Sequence, residues 1–129
     1  MVLFYPSLRI TFKLKEPLEC LLKNGEVYTI RPFTVKEGVK RVIDGKAKRV
    51  IGIARVTKIG KVYLSLKAVK VHNEYKPLKN YVDLSGFKSV HEWIEKLYKV
   101  SKSVKRNQLY LYRVKLVKIL KRSAIYEDV

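Results

Sequence analysis

Basic and aromatic side chains recur along this chain at spacings that suit contacts with a polyanion. Lys46, Lys48 and Arg49 sit together in a connecting segment, Lys102, Lys105 and Arg106 form a second group, and Lys121 and Arg122 a third. Each offers charged N–H donors to phosphate oxygens, contacts that position a nucleic acid without reading its sequence. Tyr75 and Tyr81 fall in a stretch without periodicity, where an aromatic ring is free to stack on an unpaired base. Tyr110 and Tyr112 share one face of an aromatic and β-branched segment and are read as core packing instead.

Other chemistry finds little support. Cys20 is the only cysteine, so no internal disulfide and no multi-cysteine zinc site is available. His72 has no serine, cysteine or aspartate partner close by in sequence, and His91 lies on a helical face beside Glu92 and Glu95, an exposed structural setting. No catalytic triad, P-loop or dinucleotide glycine pattern is present, and neither a metal nor a cofactor is expected.

Lys and Arg total 29 against 11 Asp and Glu, a formal charge of +18 on 129 residues, and the excess runs along the whole chain. A basic body of this kind is relieved of self-repulsion by a polyanion that releases counterions on binding. Nucleic acid is the expected partner, RNA before DNA. A membrane is not, since no apolar run approaches the roughly 18 residues a spanning helix needs. The start MVLFYPSLRITFKLK lacks the features of a signal peptide, which points to the cytoplasm. With 47% hydrophobic residues and no linker or repeat, residues 1–129 are expected to form one domain, a monomer, and the wealth of Lys, Arg, Val and Ile is of a kind met in thermophiles.

These groups need positioning elements. From Leu8 to Lys15 apolar and polar residues alternate, the period of a half-buried strand. Pro17 to Asn24 reads as a helix ended by Gly25, and Val27 to Arg31 as a strand. Thr34 and Glu37 have capping-box spacing, with Val35, Val39, Val42 and Ile43 following at helical intervals, which predicts a helix from Val35 to about Asp44 closed by Gly45. Val50 to Ile59 reads as a strand, Gly60 and Lys61 as a hairpin turn, and Val62 to about Val71 as the returning strand. Asn73 to Phe87 reads as loop. Ser89 and Glu92 cap an amphipathic helix whose core face holds Trp93, Ile94 and Leu97, and Gln108 to Leu120 reads as a long final strand. The order is β, α, β, α, β, β, α, β, an α+β architecture favouring a curved or barrel-like sheet.

The segment Glu16 to Pro32, EPLECLLKNGEVYTIRP, resembles the opening of ASCH domains, a branch of the PUA-like barrels in which a short helix and a glycine turn lead into a strand ending Thr-x-Arg. Leu84 to Tyr98, LSGFKSVHEWIEKLY, is similar to the Gly-Phe-x-Ser helix of that family, and a final strand like QLYLYRVKLV follows it there as well. The resemblance implies a PUA-like β-barrel with a cleft beside its first helix, a fold associated with RNA binding and translation. Thr29 and Arg31 would then lie in the cleft, with Lys23 close by in sequence. Arg31 brings a planar fork of donors and Thr29 a short hydroxyl, both suited to a phosphate or a base edge.

Some small ASCH proteins look like amidohydrolases of acetylated cytidine, using a lysine three residues before the strand threonine and a glutamate just before the Gly-Phe helix. Those positions hold Glu26 and Ser85 here, a reversal of charge and a lost base that count against the activity. The expectation is an RNA-binding domain using the basic cleft and flanking loops. The alternatives are an RNA- or nucleoside-directed hydrolase in the same cleft, and a structural protein on a ribosome or other ribonucleoprotein.

Overall fold

The computed structural model describes residues 8–32, 34–100 and 108–120, and its longest strand organises the rest. The elements are β1 (Arg9–Phe12), α1 (Lys15–Asn24), β2 (Glu26–Arg31), β3 (Gly38–Asp44), β4 (Arg49–Tyr63), β5 (Ala68–Val71), β6 (Glu74–Pro77), α2 (Val90–Val100) and β7 (Leu109–Ile119). Short 3₁₀ segments cover Leu64–Leu66 and Leu78–Leu84. β4 pairs β7 along one edge, from Gly52 to Val62, while its other edge carries β3 along its first half and β5 at its end. β7 pairs onward to β2, β5 to β6, and β3 to β1, the last being the one parallel pairing among the described strands.

The outermost strands β1 and β2 come together although they do not pair, because the Arg31 Nη1 donates to the Thr11 carbonyl at 2.7 Å. The architecture is therefore mixed α+β, with a strongly curled half-barrel sheet and, among the described residues, two α-helices. Its inner face gathers Ile10, Phe12, Val27, Val42, Ala54, Val56, Tyr112 and Val114 around Leu18 and Leu21 of α1. The opposite face of β2, β7 and β5 packs Ile30, Leu109, Leu111 and Val69 against Leu78, Phe87 and the α2 residues Trp93 and Leu97. No helix among the described residues is long and apolar enough to cross a membrane.

Four expected elements form with small boundary shifts: α1, β2, α2 and β7. The cap of α2 is the expected one, with the Glu92 amide donating to Ser89 Oγ at 3.1 Å, while the Glu92 carboxylate reaches back to the Lys88 amide at 2.9 Å. β1 stops at Phe12, and Lys15 already begins α1.

The expected helix from Val35 to Asp44 is instead an extended arm and the strand β3. Glu37 accepts the Lys58 amide at 2.8 Å rather than closing a capping box, and Val39, Val42 and Ile43 take their places in a ladder between β1 and β4. β-Branched residues accept helical spacing but pack better on a pleated surface with neighbours on both sides. Gly45 closes a strand-to-strand turn in which the Asp44 carboxylate accepts the Lys46 and Ala47 amides.

Gly60 and Lys61 do not turn the chain either. They lie inside β4, next to a register shift between Lys58 and Gly60. A Cβ on Gly60 would stand 2.0 Å from the Lys70 carbonyl oxygen, so the glycine lets β5 approach across a bulge. The reversal comes after Leu64–Leu66, and a second hairpin turns at His72 and Asn73, whose φ of 50° and 68° suit a two-residue turn. The expected loop from Asn73 thus holds β6 and a 3₁₀ segment.

Tyr112, fully buried, accepts the Val35 amide on its hydroxyl at 2.6 Å and so ties the arm before β3 to the barrel interior. Burial raises its pKa above the ordinary value of 10.0. The folded state then keeps a proton that the unfolded chain releases above about pH 10, so the stability this residue contributes falls as pH rises through that region. Tyr112→Phe is expected to lower the unfolding free energy by about 1–3 kcal/mol at neutral pH, the cost of an unmet buried donor. The gap between wild type and variant should close above pH 10 in urea titrations, and a constant gap would mean that the hydroxyl is not held protonated by the fold.

Candidate functional site

β1 and β2 each offer one edge to a neighbour, β3 and β7, and turn the other toward a seam. A cavity of about 370 Å³ occupies that seam, walled by Arg9–Leu14 of β1 and its extension, Tyr28–Pro32 of β2, and Ser85, Phe87, Trp93 and Leu97 from the α2 side. Phe12, Phe87 and Trp93 make most of it apolar and aromatic, and all three are buried.

Three cations line the cavity, Arg9 and Lys13 from exposed positions and Arg31 from deeper in its wall. The Arg31 guanidinium lies 4.9 Å from the centre of the Phe12 ring and holds the Thr11 carbonyl through Nη1, while its buried Nε has no acceptor among the described residues. Burial lowers its pKa to about 10, so it remains a cation at neutral pH in surroundings that favour the uncharged form. A donor in that condition gains by meeting an acceptor, and an anion would restore its ordinary pKa. Thr29, also buried, lines the same cavity.

The other expected residues are distributed more widely. Lys23 is exposed in the last turn of α1 and does not line the cavity. Lys46 and Lys48 lie in the turn after β3, joined to the end of β1 by the Gly45 amide on the Phe12 carbonyl at 2.8 Å, Arg49 opens β4 opposite Asp44, and all three stay outside the cavity. Tyr81 packs edge-on against Tyr28, ring centroids 4.9 Å apart, and is half-buried in the outer core. Tyr75 is 55% exposed on β6. Lys102, Lys105, Arg106, Lys121 and Arg122 lie outside the described residues.

Among the described residues, no carboxylate, histidine or cysteine lines the cavity. Glu26 accepts Arg113 Nε at 2.8 Å, opposite Lys115 on the outer side of the sheet. Ser85 does line the cavity, but its hydroxyl donates to the Val82 carbonyl at 2.7 Å and accepts the Phe87 amide at 3.0 Å, which leaves it structural. His91 stands on the exposed face of α2, 3.7 Å from Glu95, and Cys20 is buried with its thiol pKa raised by desolvation. No group of three or more His, Cys, Asp or Glu is placed to hold a metal among the described residues.

Cross-strand register brings together residues that the sequence did not connect. Arg31 lies opposite Tyr110, Tyr110 opposite Lys61, Lys61 opposite Lys70, and Lys70 opposite Tyr75. Directly opposed residues share a face. This single row therefore crosses β2, β7, β4, β5 and β6, starting at the cavity wall. Only the pairing could reveal it, because its members are scattered from residue 31 to residue 110.

No protein-family model matches the chain, and neither a curated protein nor a solved structure matches it.

Proposed function

We propose that this chain is a nucleic-acid-binding domain of the PUA-like, ASCH type that takes one nucleotide unit of a cytoplasmic RNA into the seam cavity. The observation that carries the reading is Arg31, a half-buried cation whose buried Nε is an unmet donor on the wall of an apolar, aromatic cavity. The volume falls within the range of small-ligand sites, aromatic walls suit a base, and the guanidinium suits its phosphate or an acceptor on its edge. The formal charge of +18 supplies the long-range attraction. Preference for RNA rests on the likeness of the segments around Thr29 and Trp93 to the ASCH pattern.

The test is affinity for tRNA, single-stranded RNA and duplex DNA of similar length, each titrated with salt. Binding to RNA that stays selective at about 0.15 M salt is the expected result, since nonspecific phosphate attraction falls steeply over that range. Equal binding to every polyanion, vanishing at that salt, would sink the reading and leave the chain as a basic surface for a ribonucleoprotein. Hydrolysis of acetylated cytidine would instead establish an enzyme in the same cavity.

A further inference from the structure

The row that leaves the seam cavity has an unusual composition for the face of a sheet. Lys61 and Lys70 stand directly opposite each other, an arrangement that destabilises a ladder when nothing intervenes. Each ammonium instead lies over a tyrosine ring, Lys61 over Tyr63 at 5.3 Å and Lys70 over Tyr75 at 5.8 Å, and Lys58 lies over Tyr110 at 4.2 Å. Tyr63 and Tyr75 meet edge-to-face at 5.6 Å.

Two other cations of the sheet do have acids: Arg113 is bonded to Glu26 and Lys76 pairs with Glu74. Among the described residues no carboxylate forms an ion pair with Lys58, Lys61 or Lys70. Glu37 reaches this end of the sheet, but with an oxygen on the Lys58 amide. Together with Lys58 and Tyr63, its neighbours on β4, the row offers three ammonium groups and three tyrosine rings, with no ion-paired carboxylate on these lysines among the described residues.

We infer that this row is the path of a single-stranded RNA, continuing from the nucleotide held at Arg31, with successive bases stacked on Tyr110, Tyr63 and Tyr75 and phosphates beside Lys58, Lys61 and Lys70. The inference rests on the RNA-binding reading and adds a direction and a strand state to it. Strands about 4.8 Å apart make five of them about 19 Å from first to last. That is room for the two or three bases that other sheet platforms stack. A duplex hides its base faces and has no use for tyrosines so placed, whereas an unpaired strand does.

The test uses the full chain with a labelled single-stranded oligouridylate of about ten nucleotides, an RNA duplex of equal length, and polyglutamate. Tyr75→Ala, at a half-exposed site, is expected to weaken the single strand about fivefold or more and leave the duplex unchanged. Lys61→Ala with Lys70→Ala should lower the slope of log affinity against log salt by about 0.7 for each lysine, and Lys79→Ala, exposed on the 3₁₀ segment, should not. The lone tryptophan, Trp93, lines the cavity and reports its occupancy separately through its emission on adding uridine monophosphate.

Loss of strand binding in the row variants with an intact Trp93 response supports both sites. Loss of strand binding where wild-type Trp93 never responds supports the row and removes the cavity reading. Unchanged strand binding in the row variants, with a nucleotide response that Arg31→Met abolishes, overturns the row and leaves the cavity. Equal losses for strand, duplex and polyglutamate also overturn it, since plain charge or an acidic protein partner would then account for the face.

Discussion

Gly86→Ala is expected to lower the unfolding free energy by about 3–4 kcal/mol. Two terms add. The residue sits at φ 92°, where a Cβ introduces strain of roughly 1–2 kcal/mol. The methyl would also stand 2.5 Å from the Glu16 carbonyl oxygen and 2.8 Å from the Pro17 nitrogen, all main-chain atoms that no rotamer change can move. Overpacking of that kind costs about 1–3 kcal/mol more.

Gly25→Ala supplies the comparison, since Gly25 has φ 81° but nothing within 4 Å of an added Cβ. It should cost only the strain, about 1 kcal/mol. Urea unfolding of both variants separates the terms, and equal losses would mean that the corner between α1 and α2 yields without resistance. Gly86 lies between Ser85 and Phe87, which line the cavity, so the same variant should also blunt nucleotide binding. The nearby pair of Lys96 and Glu16, at 3.9 Å, is too exposed to hold the corner by itself.

Helices with a cap and a continuous apolar stripe were legible in the sequence. In α2, Ser89, Glu92, Trp93 and Leu97 state their roles locally, and in α1 the turn from Pro17 to Gly25 does the same. β3 was not legible because its alternation is inverted at the start: Val39 is exposed, whereas Lys40, its pKa lowered by burial and then by Lys36, is buried on the inner face beside Ala54. Local pattern then favours a helix, and the partners that decide otherwise lie in β1 and β4.

Gly60 misled for a related reason. A glycine followed by lysine between two apolar runs satisfies the signature of a turn, and only the position of the Lys70 carbonyl explains the residue differently. The site divides in the same way. Thr29 and Arg31 were reachable through the Thr-x-Arg segment, but the cavity walls from β1 and α2 depend on how far the sheet curls. Tyr63, Tyr110, Lys58, Lys61 and Lys70 depend on register between strands up to about fifty residues apart in sequence.

Arg31→Met is expected to reduce affinity for RNA by about thirtyfold, or roughly 2 kcal/mol, the worth of a hydrogen bond from a charged donor, while changing stability by less than about 1 kcal/mol. The second expectation follows from opposing terms of similar size. Lowering the guanidinium pKa to about 10 by burial means that its charged form costs roughly 3 kcal/mol at neutral pH, at about 1.4 kcal/mol per unit. Against this stand the bond to the Thr11 carbonyl, about 1.5–3 kcal/mol for a charged donor, and the contact with Phe12, about 1 kcal/mol.

Methionine keeps much of the volume and removes all three. The pH dependence has a definite sign: from about pH 10 upward the folded wild type sheds the Arg31 proton before the unfolded chain does, so wild type gains stability relative to the variant. Paired urea titrations at pH 7 and pH 11, with RNA affinity measured at pH 7, check the whole set. Large destabilisation with unchanged affinity would make Arg31 a clasp between β1 and β2 and nothing more. Lost affinity on an equally stable fold would mean that the chain retains a half-buried charge at its seam for what it binds there.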